Sequence, residues 1–388
     1  MAKKTRLGIE SYTLANEQKR YKFQVYIGVN QLTGKQKRTT RRGFKTIKEA
    51  ELALARIKLQ IAKGTFQKQH AETYQNLYDL WIIQYEKTVA ESTFVKTKRI
   101  FKNHILPAMG AYKVDMINID VCQQHVNEWA VKLKSFRTVK DYAARVMDFA
   151  LKREYIKANP FALVDMPVIK KNIGDFEDKE ENYYTKEQLV DFLSCLENET
   201  NYKSYALFRL LAYSGMRKGE ALALRWNDLN FNTNEIRINK ALAHGEDNRL
   251  YVKPTKTEES RTIKMDKDTM KILAMWNKIQ KKDYDILGFD TSKHGQLIFS
   301  NTKNKYIQPS NTRAWILRVQ DKYHLRRITT HGLRHTHSTL LAAAGVKPNE
   351  IKERLGHSDI RTTMNVYTHV TTEAKVAAVE DFARYVNS

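Results

Sequence analysis

The sequence has very little cysteine and no long apolar run. Its 388 residues include only two cysteines, Cys122 and Cys195, and neither belongs to a CxxC pair. This pattern supports neither a disulfide framework nor a thiolate zinc site. The most apolar stretch, residues 340–346, is far too short to cross a bilayer, and no apolar segment follows the basic N-terminus. These absences predict a soluble, cytoplasmic protein in a reducing compartment, with no membrane partner.

Acidic residues are scarce relative to basic ones. The chain carries 67 Lys and Arg against 43 Asp and Glu, which gives a net charge of +24. The first 64 residues hold 16 basic and only 4 acidic residues, so half of the excess charge lies in a sixth of the chain. This distribution predicts a polyanionic partner and a dedicated basic module at the N-terminus.

Residues 1–66 predict a small ββα domain. Residues 21–29 alternate apolar and polar side chains, as a half-buried strand does, and residues 35–42 form a strongly basic second strand. Thr46 is placed to cap the helix that follows, and residues 8–14 offer an additional first strand. The basic strand is short enough for a DNA groove to admit, and we prefer DNA binding to a merely solvated charged face. The candidate contacts are Lys35, Lys37, Arg38, Arg41 and Arg42.

The rest of the chain predicts two further domains and a linker, so the fold class is multidomain and mainly α with small β-sheets. Residues 74–168 indicate an all-helical domain, residues 169–182 a linker, and residues 183–388 an α+β domain. Three short strands are expected in the last domain, near residues 236–238, 250–252 and 262–265. Basic residues collect near helix ends of the helical domain, where we expect them to grip phosphates. They are Lys96, Arg99, Lys134, Arg137 and Lys140.

The densest group of reactive side chains lies between residues 328 and 369. Gly345 and Gly356 divide this stretch into three short predicted helices. One fixed cation, two groups that exchange protons near neutral pH and one oxygen nucleophile would then come together. These groups are Arg334, His331, His357 and Tyr367. A phosphodiester is the natural target of such a set.

Four sequence boxes occur in a fixed order along the third domain. They are Met216-Arg217-Lys218-Gly219-Glu220, His331-Gly332-Leu333-Arg334-His335-Thr336, Leu355-Gly356-His357, and Tyr367 ten residues after His357. Together they resemble the signature of the tyrosine recombinases, the lambda-integrase family. The two preceding domains are similar to the arm-binding and core-binding (SAM-like) domains of phage and conjugative-transposon integrases of Gram-positive bacteria. In this family an acidic residue often stands where this chain has Gly332.

The resemblance implies six catalytic residues and one supporting residue. Arg217 and Arg334 would bind the non-bridging phosphate oxygens, a role that suits guanidinium because it stays charged and presents a planar fork. Tyr367 would attack phosphorus, and Lys256 would protonate the leaving oxygen, with Lys253 as the alternative. His331 would take or shuttle the phenol proton, His357 would donate a hydrogen bond to a phosphate oxygen, and the Glu220 carboxylate would orient its neighbours.

The resemblance also implies the reaction and its partners. The expected activity is site-specific integration and excision of a mobile element, through a 3′-phosphotyrosyl intermediate and a Holliday junction, with no metal, ATP or other cofactor. The expected partners are core and arm attachment sites on double-stranded DNA, with an excisionase and a host DNA-bending protein as candidates. We expect the enzyme in the bacterial cytoplasm, at the nucleoid when bound to DNA. A homotetramer would form by exchange of an amphipathic tail helix carrying Val376, Val379, Phe382 and Val386.

Four other interpretations are disfavoured by the same sequence. A Xer-type chromosome-dimer resolvase is less favoured, because residues 1–64 would be surplus to it. A type IB topoisomerase-like nicking and closing enzyme has no evident need for the basic N-terminal module. A DNA-binding regulator that does not cleave DNA has no need for the catalytic residues, yet every catalytic position in this sequence is filled. A metal site at His331, His335 and His337 is disfavoured, because their spacing scatters the imidazoles around a helix and no carboxylate or thiolate completes the set.

Overall fold

The computed structural model describes residues 8–14, 18–29, 36–63, 73–168, 181–255, 260–291, 295–367, 383–384 and 386, without the side chains of Lys37 and residues 365–367. Several predicted features lie outside this description, namely Lys35, residues 169–180 of the linker, Lys256, and the tail positions Val376, Val379 and Phe382. The chain divides into two compact units, Met1–Ile169 and Lys170–Ser388, and each is described by itself. Within the described ranges, no helix combines the length and the apolar character needed to cross a bilayer.

The first unit begins with a three-stranded antiparallel sheet and one helix. The elements are β1 (Ile9–Thr13), β2 (Lys19–Val29), β3 (Gln36–Phe44) and α1 (Ile47–Ala62), with the strands in the order β1-β2-β3. Phe23 and Leu54 are buried between sheet and helix. The Thr46 hydroxyl accepts a hydrogen bond from the Glu49 amide at 3.2 Å, which confirms the predicted N-cap. The additional first strand is present.

The register of this sheet divides its basic residues between two faces. Arg42 pairs with Lys22, whereas Arg41 pairs with Phe23, which is only 2% exposed. Directly paired residues point to the same face of a sheet. Arg41 therefore points to the helix side, while Arg42 and Arg38, both exposed, point to the opposite face. Arg41 therefore does not share a face with Arg38 and Arg42, the other candidate contacts whose side chains the structure describes.

Helices make up most of residues 73–168, the rest of the first unit that the structure describes. They are α2 (Tyr74–Glu86), α3 (Glu91–Ile100), a π-helical turn (Phe101–Ile105), α4 (Leu106–Met109), α5 (Ile119–Lys132) and α6 (Phe136–Lys152), with short 3-10 turns at Val114–Met116 and Pro160–Leu163. An aromatic cluster holds them together, in which the rings of Trp81 and Tyr85 stack at 4.5 Å and Tyr78 lies 4.5 Å from Phe101. This packing supports the all-helical prediction for this region.

The second unit mixes helices with two small sheets. Its helices are α7 (Lys186–Glu197), α8 (Tyr202–Ser214), α9 (Lys218–Ala223), α10 (Lys267–Ile286), α11 (Pro309–Lys322), α12 (Gly332–Ala343), α13 (Pro348–Leu355) and α14 (Ile360–Tyr367). Its strands are β4 (Leu229–Asn230), β5 (Glu235–Ile238), β6 (Lys240–His244), β7 (Leu250–Pro254) and β8 (Arg261–Lys264). The strand orders are β4-β5-β8 and β6-β7. The three predicted strands are present, but β7 pairs with β6 and β8 pairs with β5, so β7 and β8 are not hairpin partners.

Local sequence signals account for the helix ends in this unit. Thr185 and Gln188 cap each other's backbone amides at 3.3 and 3.0 Å, so α7 opens with a reciprocal capping box. Gly345 and Gly356 follow α12 and α13 with φ of +79° and +65°, the left-handed conformation that glycine adopts without strain. The predicted division of this stretch into three short helices is thereby confirmed over the described residues 328–367.

Gly215, which ends α8, should tolerate a side chain less well than Gly345. Both have positive φ, but a Cβ on Gly215 would lie 2.5 Å from side-chain atoms of His337 and Leu355, whereas one on Gly345 meets nothing within 4 Å. We expect Gly345→Ala to cost about 1 kcal/mol from backbone strain and Gly215→Ala to cost about 2 kcal/mol more from overpacking. The Tm of each variant, measured by calorimetry on the full chain, checks this. Equal losses would contradict the packing argument.

Candidate active site

Helix ends in the second unit carry the predicted catalytic residues. Arg217 is the N-cap of α9, His331 the N-cap of α12, Arg334 lies in the first turn of α12, His357 follows the end of α13, and Tyr367 is the last residue of α14. Lys256 lies outside the described residues, between β7 and β8. Because a side chain at a helix end can extend beyond that helix, side chains from several helix ends can meet at one site.

The C-terminal end of α13 binds three guanidinium groups. The last carbonyl groups of a helix have no partner within it and need outside donors. Here the carbonyl oxygens of residues 354, 355 and 356 accept from Arg261, Arg334 and Arg217, at 3.0, 2.9 and 3.1 Å. The three arginines come from β8, α12 and the start of α9. They are therefore fixed around the turn that leads into His357.

Glu220 joins two of these cations. It is 1% exposed; its Oε1 accepts from Arg217 Nη1 at 2.9 Å and its Oε2 from Arg261 Nη2 at 2.7 Å. Burial by itself raises the pKa of Glu220, but the hydrogen bonds and charges of Arg261 and Arg217 outweigh it and lower the pKa overall. A buried carboxylate between two guanidiniums offsets their repulsion and fixes their planes. This geometry supports an orienting role for Glu220.

Arg334 is a nearly buried cation, 4% exposed. Its Nη1 donates to the Gly215 carbonyl at 2.8 Å, in addition to the bond from Nη2 to residue 355. Burial first, and then the charge of Arg217, lower the pKa of Arg334 to about 9, so it stays protonated at neutral pH. Both bonds go to backbone oxygens, which hold the guanidinium without cancelling its charge.

Asn182 braces the start of α12, where Gly332 departs from the family pattern. Asn182 Oδ1 accepts from the Thr329 amide at 2.8 Å, and its Nδ2 donates to the Thr329 hydroxyl at 3.0 Å. A Cβ on Gly332 would lie 2.7 Å from the Asn182 carbonyl oxygen and 2.8 Å from its Oδ1. The place that a side chain at 332 would occupy is therefore taken by Asn182. His331 and Arg334 are positioned through this contact.

His331 is neutral in the protein without DNA. Burial first, and then His335, Arg334 and Arg217, lower its pKa to about 4. The His335 ring stands edge-on to it, with centroids 4.8 Å apart. A neutral imidazole can accept a proton, as the shuttle role requires. His331 and Arg334 both lie at the start of α12, three residues apart, which keeps His331 near the cationic cluster.

His337 has a structural role instead. Its Nδ1 lies 2.9 Å from the Ala212 carbonyl, and its Nε2 accepts from Arg354 Nε at 3.0 Å. Arg354 also donates to the carbonyls of Lys264 and Tyr213, at 2.9 and 3.0 Å. Because both nitrogens of His337 are engaged, neither is available to a metal. The contact ties α13 to α8 and β8, and so holds the helix end that binds the three arginines.

His357 connects the cationic cluster to α14. Its Nδ1 lies 2.9 Å from the hydroxyl oxygen of Thr363 on that helix. Burial first, and then Arg334 and Arg217, lower the pKa of His357 to about 4, so it too is neutral at pH 7. Tyr367 ends the same helix one turn after Thr363. The structure thus groups Arg217, Arg334, His331 and His357 with the helix that carries Tyr367.

The sequence analysis missed three residues that build this site, namely Arg261, Asn182 and Thr363. Arg261 and Asn182 act through hydrogen bonds to residues far away in sequence, whereas Thr363 bonds to the side chain of His357, six residues before it. One usable signal was Arg261 at the start of a strand with apolar Ile263 two positions later, which marks a side chain on the inner face. The other two carried no comparable pattern.

Removing Arg261 should destabilise the site at neutral pH. Arg261→Ala leaves the buried Glu220 with one cation fewer, and we expect a loss of about 2–4 kcal/mol, several degrees in Tm. The folded-state pKa of Glu220 is lowered, so its contribution is present at pH 7 and lost as pH falls through that pKa. The difference from wild type should therefore shrink as the pH falls below the ordinary pKa range of a glutamate side chain. Arg237→Ala, an exposed arginine on β5 of the same sheet, is the matched control and should change little.

Comparison with known proteins gives the same arrangement of domains. Three family profiles match in order: "Arm DNA-binding domain" over residues 11–61, "Phage integrase, N-terminal SAM-like domain" over residues 73–130, and "Phage integrase family" over residues 182–374. The ICEBs1 integrase of Bacillus subtilis (strain 168) is 26% identical over 362 residues, which cover 91% of this chain and 94% of that protein.

Two solved structures share the fold. The Tn1549 transposon integrase in complex with a circular intermediate DNA has a TM-score of 0.65 at 22% identity, covering 80% of this chain and 100% of that one. A lambda integrase tetramer bound to a Holliday junction has a TM-score of 0.53 at 13% identity, covering 94% of this chain and 96% of that one. With three profiles matched in sequence order and the catalytic boxes in place, the chain belongs to the phage integrase family of tyrosine recombinases.

Proposed function

We propose that this chain is a site-specific DNA integrase that cleaves and rejoins DNA through a 3′-phosphotyrosyl intermediate and a Holliday junction. It would integrate and excise a mobile element in a bacterial cytoplasm. One observation carries the proposal: Arg217 and Arg334, far apart in sequence, are fixed on consecutive carbonyl groups beside His357. Two fixed cations beside two neutral imidazoles match the needs of phosphoryl transfer without a metal.

Arg217 and Arg334 would bind the two non-bridging oxygens of the scissile phosphate. Negative charge on these oxygens grows as the phosphorus becomes five-coordinate, and preorganised donors stabilise it without reorganisation. Arg217 is the more accessible of the two, with a side chain 28% exposed. His357 would add a neutral N–H donor to one of the same oxygens.

Tyr367 would supply the nucleophile. Its phenolic oxygen attacks phosphorus, the bond to the 5′ oxygen of deoxyribose breaks, and His331 takes the phenol proton. Lys256 would protonate the departing oxygen; Lys253, the alternative, lies on β7 opposite Ala241. The phosphotyrosyl bond keeps the energy of the broken phosphodiester, so rejoining needs neither ATP nor a metal.

Exposed basic residues on the helical domain would hold the core site. Lys96 and Arg99 lie in the C-terminal half of α3, and Lys134 and Arg137 flank the start of α6. All four are exposed, whereas Lys140 is half-buried and lies 3.8 Å from Asp141. The first four are the better candidates for phosphate contacts.

The face of the N-terminal sheet that points away from α1 would bind arm sites. Arg38 and Arg42 point to this face together with Lys22 and Tyr26, because they pair directly across β2 and β3. A twisted three-stranded sheet with basic side chains on one face can enter a major groove. Arg41, on the helix side, drops out of this set.

The assembly would be a homotetramer joined by exchange of the C-terminal tail helix. The precedent is the lambda integrase tetramer bound to a Holliday junction, to which this chain is similar in fold. Exchange of two strand pairs needs four nucleophiles, one from each copy. An excisionase and a host DNA-bending protein complete the proposed set of partners, because both would act on the same bound DNA.

Loss of the Tyr367 hydroxyl should abolish covalent capture of DNA and spare binding. The substrate is a nicked suicide duplex carrying the joined ends of the element, and the product is read on a denaturing gel with EDTA present and ATP absent. Wild type should form an adduct, and Tyr367→Phe should form none while still shifting the duplex on a native gel. No adduct with wild type would favour the non-cleaving regulator. An adduct with nicking and closing but no strand exchange would favour the topoisomerase-like enzyme.

The two faces of the N-terminal sheet should respond differently to loss of an arginine. Arg38→Ala and Arg42→Ala should each weaken arm-site binding severalfold and reduce the salt slope of log K by about 1, as expected for one lost phosphate contact. Arg41→Ala is the matched control on the opposite face and should leave the slope unchanged. Titrations of a labelled duplex from the element ends at several salt concentrations measure this. An equal effect of Arg41→Ala would rule out the assignment of faces.

A further inference from the structure

Thr363 is a buried hydroxyl whose hydrogen bond is made to a catalytic imidazole. Its side chain is 0% exposed, and its Oγ1 lies 2.9 Å from His357 Nδ1. Among the described residues, this imidazole nitrogen is the one hydrogen-bond partner of the hydroxyl. Thr363 belongs to none of the four sequence boxes, so neither the sequence nor the proposed mechanism assigned it a role.

The direction of this hydrogen bond follows from burial. A buried hydroxyl needs an acceptor for its proton, and leaving a buried donor unsatisfied is costly. If His357 Nδ1 carried a proton and donated it, the Thr363 proton would have no acceptor among the described residues. The bond therefore runs from the Thr363 hydroxyl to an unprotonated Nδ1. Because the imidazole is neutral, its proton must then sit on Nε2.

We propose that Thr363 is a positioning residue that sets the tautomer of His357. With Nδ1 occupied as an acceptor, Nε2–H is left as the donor for a phosphate oxygen. The opposite tautomer would present a lone pair to the phosphate and repel it. This inference rests on the proposed function, because it assumes that His357 donates a hydrogen bond to a phosphate oxygen.

The same contact links this donor to the helix of the nucleophile. Thr363 lies on α14 one turn before Tyr367, and α14 packs against α12 and α13. The hydrogen bond forms only when α14 stands beside the turn that carries His357. A shift of α14 would therefore break this hydrogen bond, so that the tautomer of His357 is no longer fixed, and would move the backbone of Tyr367 at the same time. Docking of α14 would therefore prepare both the hydrogen-bond donor His357 and the nucleophile Tyr367 in one step.

Three variants and one double variant test this role in the full chain. Thr363→Val keeps the shape and removes the hydroxyl, Thr363→Ser keeps the hydroxyl, and Thr362→Val changes the exposed neighbour as a control. Adduct formation on the nicked suicide duplex should fall about tenfold or more in Thr363→Val, with DNA binding unchanged, and should be largely restored in Thr363→Ser. Thr362→Val should match wild type. In a His357→Ala background, Thr363→Val should cause no additional loss, because it acts through the imidazole.

A spectroscopic readout separates the tautomer from packing. In full-length protein with ¹⁵N-labelled histidine, His357 should show a protonated Nε2 and an unprotonated Nδ1, and Thr363→Val should mix the two forms. Wild-type adduct formation by Thr363→Val, or an equal loss in the His357→Ala background, would overturn the positioning role and leave the proposed function standing. If wild type itself forms no adduct, the proposed function fails, and the His357 spectrum alone then reports on the hydrogen bond.

Discussion

The catalytic unit depends on the negative end of one short helix. Three guanidiniums would repel each other if they were brought together in an apolar interior, and burial of each costs free energy. The carbonyl oxygens of residues 354–356 accept one donor from each arginine, and the partial negative charge of a helix C-terminus adds to the attraction. The cations are thus held in place before any phosphate arrives. A preorganised site of this kind does not have to move its charges during the reaction.

The same charges set the protonation of the histidines. Burial together with Arg334 and Arg217 lowers the pKa of His331 and of His357 to about 4. An imidazolium at either position would add a further positive charge to the pocket and could not accept a proton. Because the arginines stay charged, the histidines stay neutral, and one arrangement supplies both fixed cations and a proton acceptor. The fixed cations and the neutral proton acceptor are therefore not independent features of the fold.

Much of the fold and of the site could be predicted from the sequence. The parts that could not be predicted depend on contacts between residues far apart in the chain. Caps at Thr46 and Thr185 and stops at Gly345 and Gly356 are local signals, because the residues that satisfy each other lie within one turn. The register of β2 and β3 is not local: alternation along β3 separates Arg41 from Arg38 and Arg42, but the pairing of Arg41 with Phe23 decides which of them face the helix. The role of Arg261 depends on a carbonyl 93 residues away, and a backbone acceptor leaves no trace in side-chain spacing.

The departure at Gly332 is consistent with the electrostatics of the pocket. A carboxylate there would lie two residues from Arg334 and would neutralise part of the charge that we propose binds phosphate. Asn182 instead braces the start of α12 through a neutral amide, which makes hydrogen bonds without adding charge. Among the described residues, Glu220 is the one carboxylate that hydrogen-bonds to the arginines of this cluster, and it is shared between Arg217 and Arg261. Three cations against one anion leave a net positive charge in the pocket, which under the proposed function would attract the negative charge of a phosphodiester.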